Sequence, residues 1–260
     1  MIFKDQINNV FELKNTPKRI ISLVPSQTEL LVDLGLEDSI VGVTKFCVHP
    51  THLKQNKTIV GGTKTINIDK IKALKPDIIL CNKEENTKEI VKICQKIAPT
   101  HVSDIFTIDD TIELINQYGC VFSKEKEART LISILKTELE DFKNFIKDKP
   151  SLKVAYFIWK NPWMVAANHT FINHLLKLNK HDNIFGNLNR YPEIELKDLS
   201  NADLILLSSE PYPFSEKHII ELKKYTKSSK VILVDGEYFS WYGSRLTKAF
   251  SYFKTLRNSI

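Results

Sequence analysis

Catalytic and phosphate-binding motifs are absent from this 260-residue sequence. It contains no G-x-S-x-G elbow, no Walker loop, no G-x-G-x-x-G fingerprint and no H-E-x-x-H zinc helix. The four cysteines, at positions 47, 81, 94 and 120, form no C-x-x-C pair and no zinc-knuckle spacing. These absences argue against the common classes of hydrolase, nucleotide-binding enzyme and metalloprotease. We expect a non-catalytic protein with reduced thiols.

Long apolar runs and dense basic runs are also missing. Met1–Gln6 lacks the apolar segment of a secretory signal, and no later run is long enough to cross a bilayer. The net charge of +6 comes from lysines and arginines scattered along the chain, unlike the basic patches of nucleic-acid-binding proteins. We therefore expect no membrane insertion and no nucleic-acid partner. As written, the chain is expected in the cytoplasm, unless a leader has been removed.

Short β-branched runs alternate with amphipathic segments along the chain. This alternation predicts an α/β fold of parallel strands covered on both faces. The predicted strands are Arg19–Val24, Ile40–Val43, Ile78–Cys81, Val154–Ile158, Leu204–Leu207 and Val231–Val234. Ser26 and Glu29 have capping-box spacing, which predicts that a helix begins directly after the first strand. Gly35 is expected to end that helix.

One long amphipathic helix is predicted near the middle of the chain. Apolar side chains recur every three or four residues from Ala128 to Ile146. The helix is expected to join two Rossmann-like lobes with central parallel sheets. The predicted division is an N-terminal α/β lobe, 1–122, a connecting helix, 123–149, and a C-terminal α/β lobe, 150–260.

The two halves also share an internal repeat. Residues 68–80 align without gaps on residues 194–206, and both segments predict a short helix that leads into a strand through an aspartate, Asp77 or Asp203. The lobes are then two copies of one design. The alternative, two unrelated helix–strand units with a common apolar pattern, stays open.

The segments that follow the predicted strands are rich in aromatic and polar residues. Ligands of open parallel sheets bind beyond the carboxyl ends of the strands. All three tryptophans lie in two such segments, W-K-N-P-W at 159–163 and F-S-W-Y-G-S-R at 239–245. Aromatic walls suit a large planar or chelated ligand, although indoles that simply pack between lobes are the alternative. The predicted ligand contacts are Lys45, Cys47, His49, Asn82, Glu84, Trp159, Trp163, Trp241, Tyr242 and Arg245.

Cys47 and His49 are the only candidates for metal ligation that the spacing offers. Two residues apart in an extended segment, their side chains point the same way. Two ligands do not close a metal site, so His49 is predicted to reach only a metal that the ligand itself carries. A buried cysteine beside a surface histidine is the alternative. No intrinsic cofactor is predicted.

Three stretches carry a family resemblance: R-I-I-S-L-V-P-S-Q-T-E-L-L-V-D-L-G-L, I-V-G-V-T and I-D-K-I-K-A-L-K-P-D-I-I-L. They resemble the substrate-binding proteins of ABC importers for cobalamin and iron-siderophores, the class III or helical-backbone type, and the cobalamin branch most of all. The resemblance implies two lobes joined by a long helix, with a ligand cleft between them. It implies a corrinoid or a ferric chelate as ligand. His49 stands where the family carries an aromatic residue, and Asn82–Asn86 lacks the tryptophan of cobalamin binders.

The resemblance also implies partners. One acidic residue on each lobe docks onto the permease in this family, and the matching positions are Asp69 and Glu195, with Glu193 as a neighbour of the second. An acid that only complements a helix dipole is the alternative. A monomer with an ABC permease and ATPase as partners is expected if the chain is exported to the periplasm. A cytoplasmic chelate carrier or sensor, or an enzyme on the same fold, is the other possibility.

Overall fold

The computed structural model describes residues 1–226 and 228–260, which divide into two compact units. Unit 1 consists of Met1–Lys136 and Tyr242–Thr247, and unit 2 of Thr137–Trp241 and Lys248–Ile260. The first division falls inside the long central helix. The segment Tyr242–Thr247 belongs to unit 1 although unit 2 residues precede and follow it, whereas the sequence-based division assigns this segment to the C-terminal lobe.

The elements alternate along the chain as the α/β pattern predicts. The strands are β1 (Ile2–Lys4), β2 (Val10–Glu12), β3 (Ile20–Ser22), β4 (Ile40–Val43), β5 (Thr58–Ile59), β6 (Ile78–Asn82), β7 (Thr100–Ser103), β8 (Leu152–Trp159), β9 (Met164–Val165), β10 (His181–Asn183), β11 (Leu204–Ser208) and β12 (Lys230–Val234). The helices are α1 (Pro25–Asp33), α2 (Leu53–Asn56), α3 (Ile68–Ala73), α4 (Lys88–Gln95), α5 (Ile108–Phe122), α6 (Glu125–Ile146), α7 (Phe171–Leu178), α8 (Glu216–Leu222), α9 (Glu237–Ser240) and α10 (Leu246–Ser259). Short 3-10 helices lie at Glu37–Ser39 and Leu196–Asn201.

Unit 1 is built on a parallel sheet with the strand order β5-β4-β3-β6-β7. The strands predicted from the sequence in this half are confirmed as β3, β4 and β6. Their apolar side chains are buried on both faces of the sheet, as Ile20 and Ile21 show with 0% exposure each. A parallel sheet places all its carboxyl ends at one edge, so the loops after β3, β4, β6 and β7 gather there.

Unit 2 repeats the plan with the order β10-β8-β11-β12, all parallel, and with β9 antiparallel to β8. The three strands predicted in this half are confirmed as β8, β11 and β12. Phe157, Ile205 and Leu207 lie in the core of this unit with no exposed surface. The predicted fold class, parallel α/β sheets in both halves, is confirmed.

Helix α1 differs from its prediction at the start and agrees with it at the end. The helix begins at Pro25, its N-cap is Val24, and no side chain caps it, so the predicted box of Ser26 and Glu29 is wrong. Proline at the first position needs no N–H partner, which makes a side-chain cap dispensable. At the other end Gly35 takes a left-handed φ of 74°. Its N–H donates to the Val32 carbonyl, which closes the predicted glycine stop.

The predicted central helix is confirmed as α6, Glu125–Ile146. It begins two residues later than predicted, because Ser123 adopts a left-handed φ of 55° and is the C-cap of α5. Within unit 2, Phe142 is fully buried, with its ring 5.6 Å from Phe250 and 5.9 Å from Phe253. Among the described residues no helix, α6 included, combines the length and the apolar character that crossing a bilayer requires.

The aspartates of the internal repeat perform the same task in both units. The Asp77 carboxylate accepts hydrogen bonds from the backbone N–H groups of Lys18, at 2.8 Å, and Arg19, at 2.9 Å, and its own N–H donates to the Arg19 carbonyl. Asp203 accepts from the N–H of Lys153 at 2.8 Å and donates its N–H to the same residue's carbonyl. Each aspartate therefore ties the start of its strand to the neighbouring strand. This shared bonding supports the two-copy interpretation of the repeat.

Candidate functional site

The loop after β4 is anchored from within by Cys47. This thiol is fully buried, with its sulfur 3.1 Å from Thr28 Oγ1 and 3.3 Å from Thr44 Oγ1. Burial raises the pKa of Cys47, so the residue remains a neutral thiol. The predicted pair of Cys47 and His49 on one surface is thus not formed, because the sulfur points inward from a turn in which the Cys47 N–H donates to the Thr44 carbonyl. His49 is half-buried and precedes Pro50.

The same loop presents two exposed side chains, Lys45 and Phe46. Phe46 is 48% exposed, although its neighbours Thr44 and Cys47 are fully buried. The Lys45 ammonium lies 5.0 Å from the centroid of the Phe46 ring. Phe46 is not among the contacts predicted from the sequence. The signal that marks it is its position, an aromatic residue three places after the end of a buried strand.

Asn82 shapes the loop after β6. Its side chain is buried, donates to the Ser103 carbonyl at 3.1 Å, and accepts from the N–H groups of Glu84 and Glu85 at 2.9 and 3.0 Å. The amide is therefore used within the turn, as short polar side chains often are. Glu84 is half-buried at the tip of this turn. Of the two predicted ligand contacts in this loop, Asn82 is buried and Glu84 reaches the surface.

Tyr242 belongs to a buried hydrogen-bond network in unit 1. The Gln27 amide donates to Ser103 Oγ at 2.6 Å and to the Tyr242 hydroxyl at 3.0 Å, while Tyr118 donates to the Gln27 oxygen at 2.6 Å. Burial raises the pKa of Tyr242 well above its usual range, so the phenol stays neutral. The network fastens the returning segment 242–247 to unit 1.

Arg245 completes that attachment. Its guanidinium binds the Glu29 carboxylate in two parallel hydrogen bonds of 2.8 and 3.0 Å, and the two side chains are only 8% and 9% exposed. Between the two anchors Gly243 takes a φ of 95°, a conformation that a side chain would strain. The sequence predicts that Arg245 pairs with an anionic group of a ligand. In the structure its partner is the carboxylate of Glu29.

The three tryptophans of unit 2 have three different environments. Trp159, at the end of β8, is 40% exposed and makes an edge contact with Tyr212, with ring centroids 5.6 Å apart. Trp163 packs on the core of the unit, 5.4 Å from Phe157 and stacked on Phe214 at 6.1 Å. The predicted wall of three indoles is therefore reduced to one exposed ring.

Trp241 is held by a carboxylate. It is 6% exposed, and its indole N–H donates to Glu210 at 2.9 Å, while Ser240 donates to the same oxygen at 2.6 Å. Burial raises the pKa of Glu210 despite these two bonds, which favour the charged form. Glu210 is not among the contacts predicted from the sequence, because its partners lie some thirty positions away. Its role is to fix the loop after β12 to the loop after β11.

The predicted docking acids are both on the surface of their own units. Asp69 is exposed in the first turn of α3, whose N-cap Asn67 accepts from the Lys70 N–H. The Glu195 side chain is 72% exposed and pairs with Lys197 at 2.6 Å. Neither acid contributes to a core, so both are available to a partner.

The strand-end loops offer aromatic surface and charged side chains for contact with a ligand. Among the described residues, one exposed aromatic ring follows or ends a strand in each unit, Phe46 in unit 1 and Trp159 in unit 2. Unit 1 adds the Lys45 cation, the His49 imidazole and the Glu84 carboxylate. In the part of the chain that the structure describes, no three histidine, cysteine, aspartate or glutamate side chains are grouped closely enough to hold a metal ion.

Comparisons with known proteins give this chain a family. The family model for periplasmic binding proteins matches residues 20–212. A substrate-binding lipoprotein of an ABC transporter from Bacillus subtilis is 29% identical over 185 residues, which are 67% of this chain and 57% of the relative. The chain thus matches little more than half the length of that lipoprotein. A vitamin B12-binding protein from Vibrio vulnificus is 26% identical over 191 residues, 70% of this chain and 67% of the relative.

A solved structure has the same fold over nearly the whole chain. The crystal structure of a possible iron-binding, periplasmic solute-binding protein from Staphylococcus epidermidis superposes with a TM-score of 0.79 at 24% sequence identity. The match covers 94% of this chain and 98% of the other. At this level of identity the likeness establishes the architecture.

Proposed function

The chain belongs to the periplasmic binding protein family, and on that premise we propose that it is the substrate-binding protein of an ABC importer. The family is made of solute-binding proteins and not of enzymes, in keeping with the absence of catalytic motifs in the sequence. The observation that carries the proposal is the family match over residues 20–212, which includes the parallel sheet of unit 1 and strands β8 to β11 of unit 2. A transport partner consisting of a permease and an ATPase belongs to the same proposal.

The ligand that we propose is a corrinoid or another metal chelate. The relatives named for vitamin B12 and for iron support this class. The exposed aromatic side chain at a strand end of each unit supports it physically, because flat apolar ligands gain most from aromatic surface. Because buried side chains hold the loops that carry these aromatic residues, affinity is proposed to come from preorganised surface.

The contacts assigned to the ligand are fewer than the sequence predicts. Lys45, His49, Glu84 and Trp159 are proposed to touch it. The other predicted contacts are proposed to hold the loops that carry these four residues without touching the ligand. They are Cys47, Asn82, Trp163, Trp241, Tyr242 and Arg245. Five of them, all except Trp163, are buried and hydrogen-bonded, and the half-buried Trp163 is held by its ring contacts with Phe157 and Phe214.

Docking on the permease is proposed to use Asp69 and Glu195. Both carboxylates are exposed, one on each unit, which is what recognition by basic residues of a partner requires. The proposed location is outside the cytoplasmic membrane, in the periplasm or as a lipoprotein, where members of this family meet their permeases.

Mixing the purified protein with hydroxocobalamin, and separately with ferric chelates, tests the proposal. A true ligand at a hundred times its Kd is expected to stabilise the protein by about 2.7 kcal/mol and to raise the melting temperature accordingly. Differential scanning calorimetry and titration of the visible bands measure both effects. If no corrinoid and no ferric chelate binds, the proposed function is wrong.

Replacing Trp159 with alanine is expected to weaken binding of the identified chelate about tenfold, because an exposed indole at the strand end then no longer covers the ligand. Isothermal titration calorimetry gives the Kd. Tyr225, another exposed aromatic residue of unit 2 at 59% exposure, provides the control, and Tyr225→Ala is expected to leave the Kd unchanged. Equal affinities of wild type and Trp159→Ala would remove Trp159 from the site.

His49→Ala tests whether the imidazole reaches a metal carried by the ligand. If it does, the visible-band shift on adding hydroxocobalamin disappears, because the band position follows the axial ligand of the cobalt. His52→Ala is the control, since the His52 imidazole pairs with Glu37 at 2.7 Å. A wild-type spectrum from His49→Ala would rule out ligation and leave His49 as a polar contact.

A further inference from the structure

The loop after β4 presents Phe46 and Lys45 as a fixed pair. Thr44 and Cys47, on either side, are fully buried, and Cys47 is held by two hydroxyl groups. The Lys45 N–H also donates to the Gly61 carbonyl at 2.8 Å, which ties the loop to the segment after β5. Phe46 is therefore exposed on a loop that is fastened at several points. A fastened loop presents its ring at little further cost in conformational entropy when a ligand binds.

The surroundings of the ring explain how it is kept in place. A Cβ on Gly62 would lie 3.2 Å from an edge carbon of the Phe46 ring and 3.5 Å from the Lys45 Cε. Both side chains therefore lean on the bare backbone of Gly62. The Lys45 ammonium is 5.0 Å from the ring centroid, within the range of a cation–π contact. The result is an aromatic surface with a positive charge attached to it.

Such a pair recognises a particular chemistry. The ring contributes contact to a flat, unsaturated ligand, and the ammonium attracts a carboxylate or sulfonate at the edge of that ligand. A ligand edged with neutral amides gains from the ring alone. Of the acids at the same edge of the sheet, Asp104 is paired with Lys83 at 2.6 Å, and the Lys64 ammonium lies beside Glu84, to whose backbone carbonyl it donates.

We infer that Phe46 and Lys45 form a specificity site for a flat chelate with anionic groups at its edge, such as a metalloporphyrin carboxylate. This inference rests on the proposed function and narrows it, because among metal chelates it favours anionic ring systems over amide-edged corrinoids. Phe46 is its contact surface, and Lys45 selects the charge. The structure identifies Phe46 by its exposure of 48% beyond the end of a buried strand.

Three probes test the inference with the full chain: ferric haem, a water-soluble tetracationic porphyrin and hydroxocobalamin. Wild type is expected to bind haem at least about tenfold more tightly than the cationic porphyrin, since only the former complements Lys45. Phe46→Ala is expected to weaken haem binding about three- to tenfold. Lys45→Met is expected to weaken it about two- to fivefold and to reduce its dependence on salt.

Matched variants separate the site from general effects. Lys14→Met removes an exposed lysine elsewhere on unit 1, and Tyr225→Ala an exposed aromatic ring on unit 2, and both are expected to bind haem as wild type does. Circular dichroism confirms that each variant is folded. Unchanged haem binding in both Phe46→Ala and Lys45→Met would overturn the inference, as would equal affinity for the anionic and cationic porphyrins.

The failure of the inference differs from the failure of the proposed function. If hydroxocobalamin binds tightly and haem does not, the anionic specificity is wrong and the transport function stands. If haem, the cationic porphyrin, hydroxocobalamin and ferric chelates all fail to bind, both the anionic specificity and the proposed function are wrong. If Phe46→Ala abolishes a contact with another protein and leaves haem binding unchanged, the ring serves a partner and the inference is overturned.

Discussion

Replacing Arg245 with methionine is expected to lower the free energy of unfolding by about 3–5 kcal/mol, because the change leaves the Glu29 carboxylate buried without its partner. The two side chains are 8% and 9% exposed and share two hydrogen bonds, so water cannot take the place of the guanidinium without reorganising unit 1. Urea unfolding followed by circular dichroism measures the loss. The same variant is expected to keep the secondary structure of both units under native conditions.

The matched control is an exposed ion pair. Lys143 and Glu140 lie three positions apart on α6 with 50% and 65% exposed side chains, and Lys143→Met is expected to cost about 0.5 kcal/mol or less. The double variant Glu29→Gln, Arg245→Met is expected to be more stable than Arg245→Met alone, because no buried charge remains. An Arg245→Met protein as stable as wild type would show that the pair does not hold the returning segment.

Acid is expected to destabilise this protein well above the range in which carboxylates titrate, and His181 is the reason. Burial, assisted by the positive charge of Arg257, lowers the pKa of His181 from 6.5 to about 3. Its ring lies 3.4 Å from the Arg257 guanidinium, which donates its other arm to the Pro150 carbonyl at 2.7 Å. A second buried imidazole, His101, has its pKa lowered by burial as well. Neither ring accepts a proton readily in the folded state.

The direction of the effect follows from proton binding in the two states. Below pH 6.5 the unfolded chain protonates His181 and the folded chain does not, so stability falls as pH falls, until the folded pKa of about 3 is reached. At about pH 4.5 this single group is expected to have cost the protein 2–3 kcal/mol relative to neutral pH. Urea midpoints measured between pH 7.5 and 4 test this.

Two variants assign the acid effect to its source. His181→Asn is expected to flatten the dependence of stability on pH between about 6.5 and 4, whatever its effect on stability at neutral pH. His52→Gln, at an exposed histidine whose side chain is 48% accessible, is expected to leave the wild-type dependence in place. A dependence as steep in His181→Asn as in wild type would assign the acid sensitivity to other groups.

Much of the fold follows from local pattern. The continuous apolar runs that form β3, β6 and β11 are buried on both faces of their sheets. A short continuous apolar run is typical of such a buried strand. Helix α6 has a strong apolar period and is predicted to within three residues at each end. The hairpin of β1 and β2 is not predicted, because strands of three residues carry too few side chains to set a period.

The site is less predictable than the fold because exposure depends on distant partners. Trp159 and Trp163 lie four positions apart in one motif, yet only the first is exposed, since Phe214 lies beneath the second. Arg245 is a residue type that often contacts anionic ligands, but it binds Glu29, which lies more than two hundred residues earlier in the chain. No local pattern contains either partner. Packing against these distant partners decides which side chains of the motifs face outward.

The returning segment, Tyr242–Thr247, has a consequence for how this chain can be cut. The polypeptide leaves unit 1 after Lys136, returns to it at Tyr242, and leaves it a second time after Thr247. A fragment that stops before Tyr242 would carry Glu29 without its counter-ion and Gln27 without one of its hydroxyl partners. Neither half can therefore be produced intact as one uninterrupted stretch of polypeptide. A C-terminal truncation of barely twenty residues is expected to damage the half that begins at Met1.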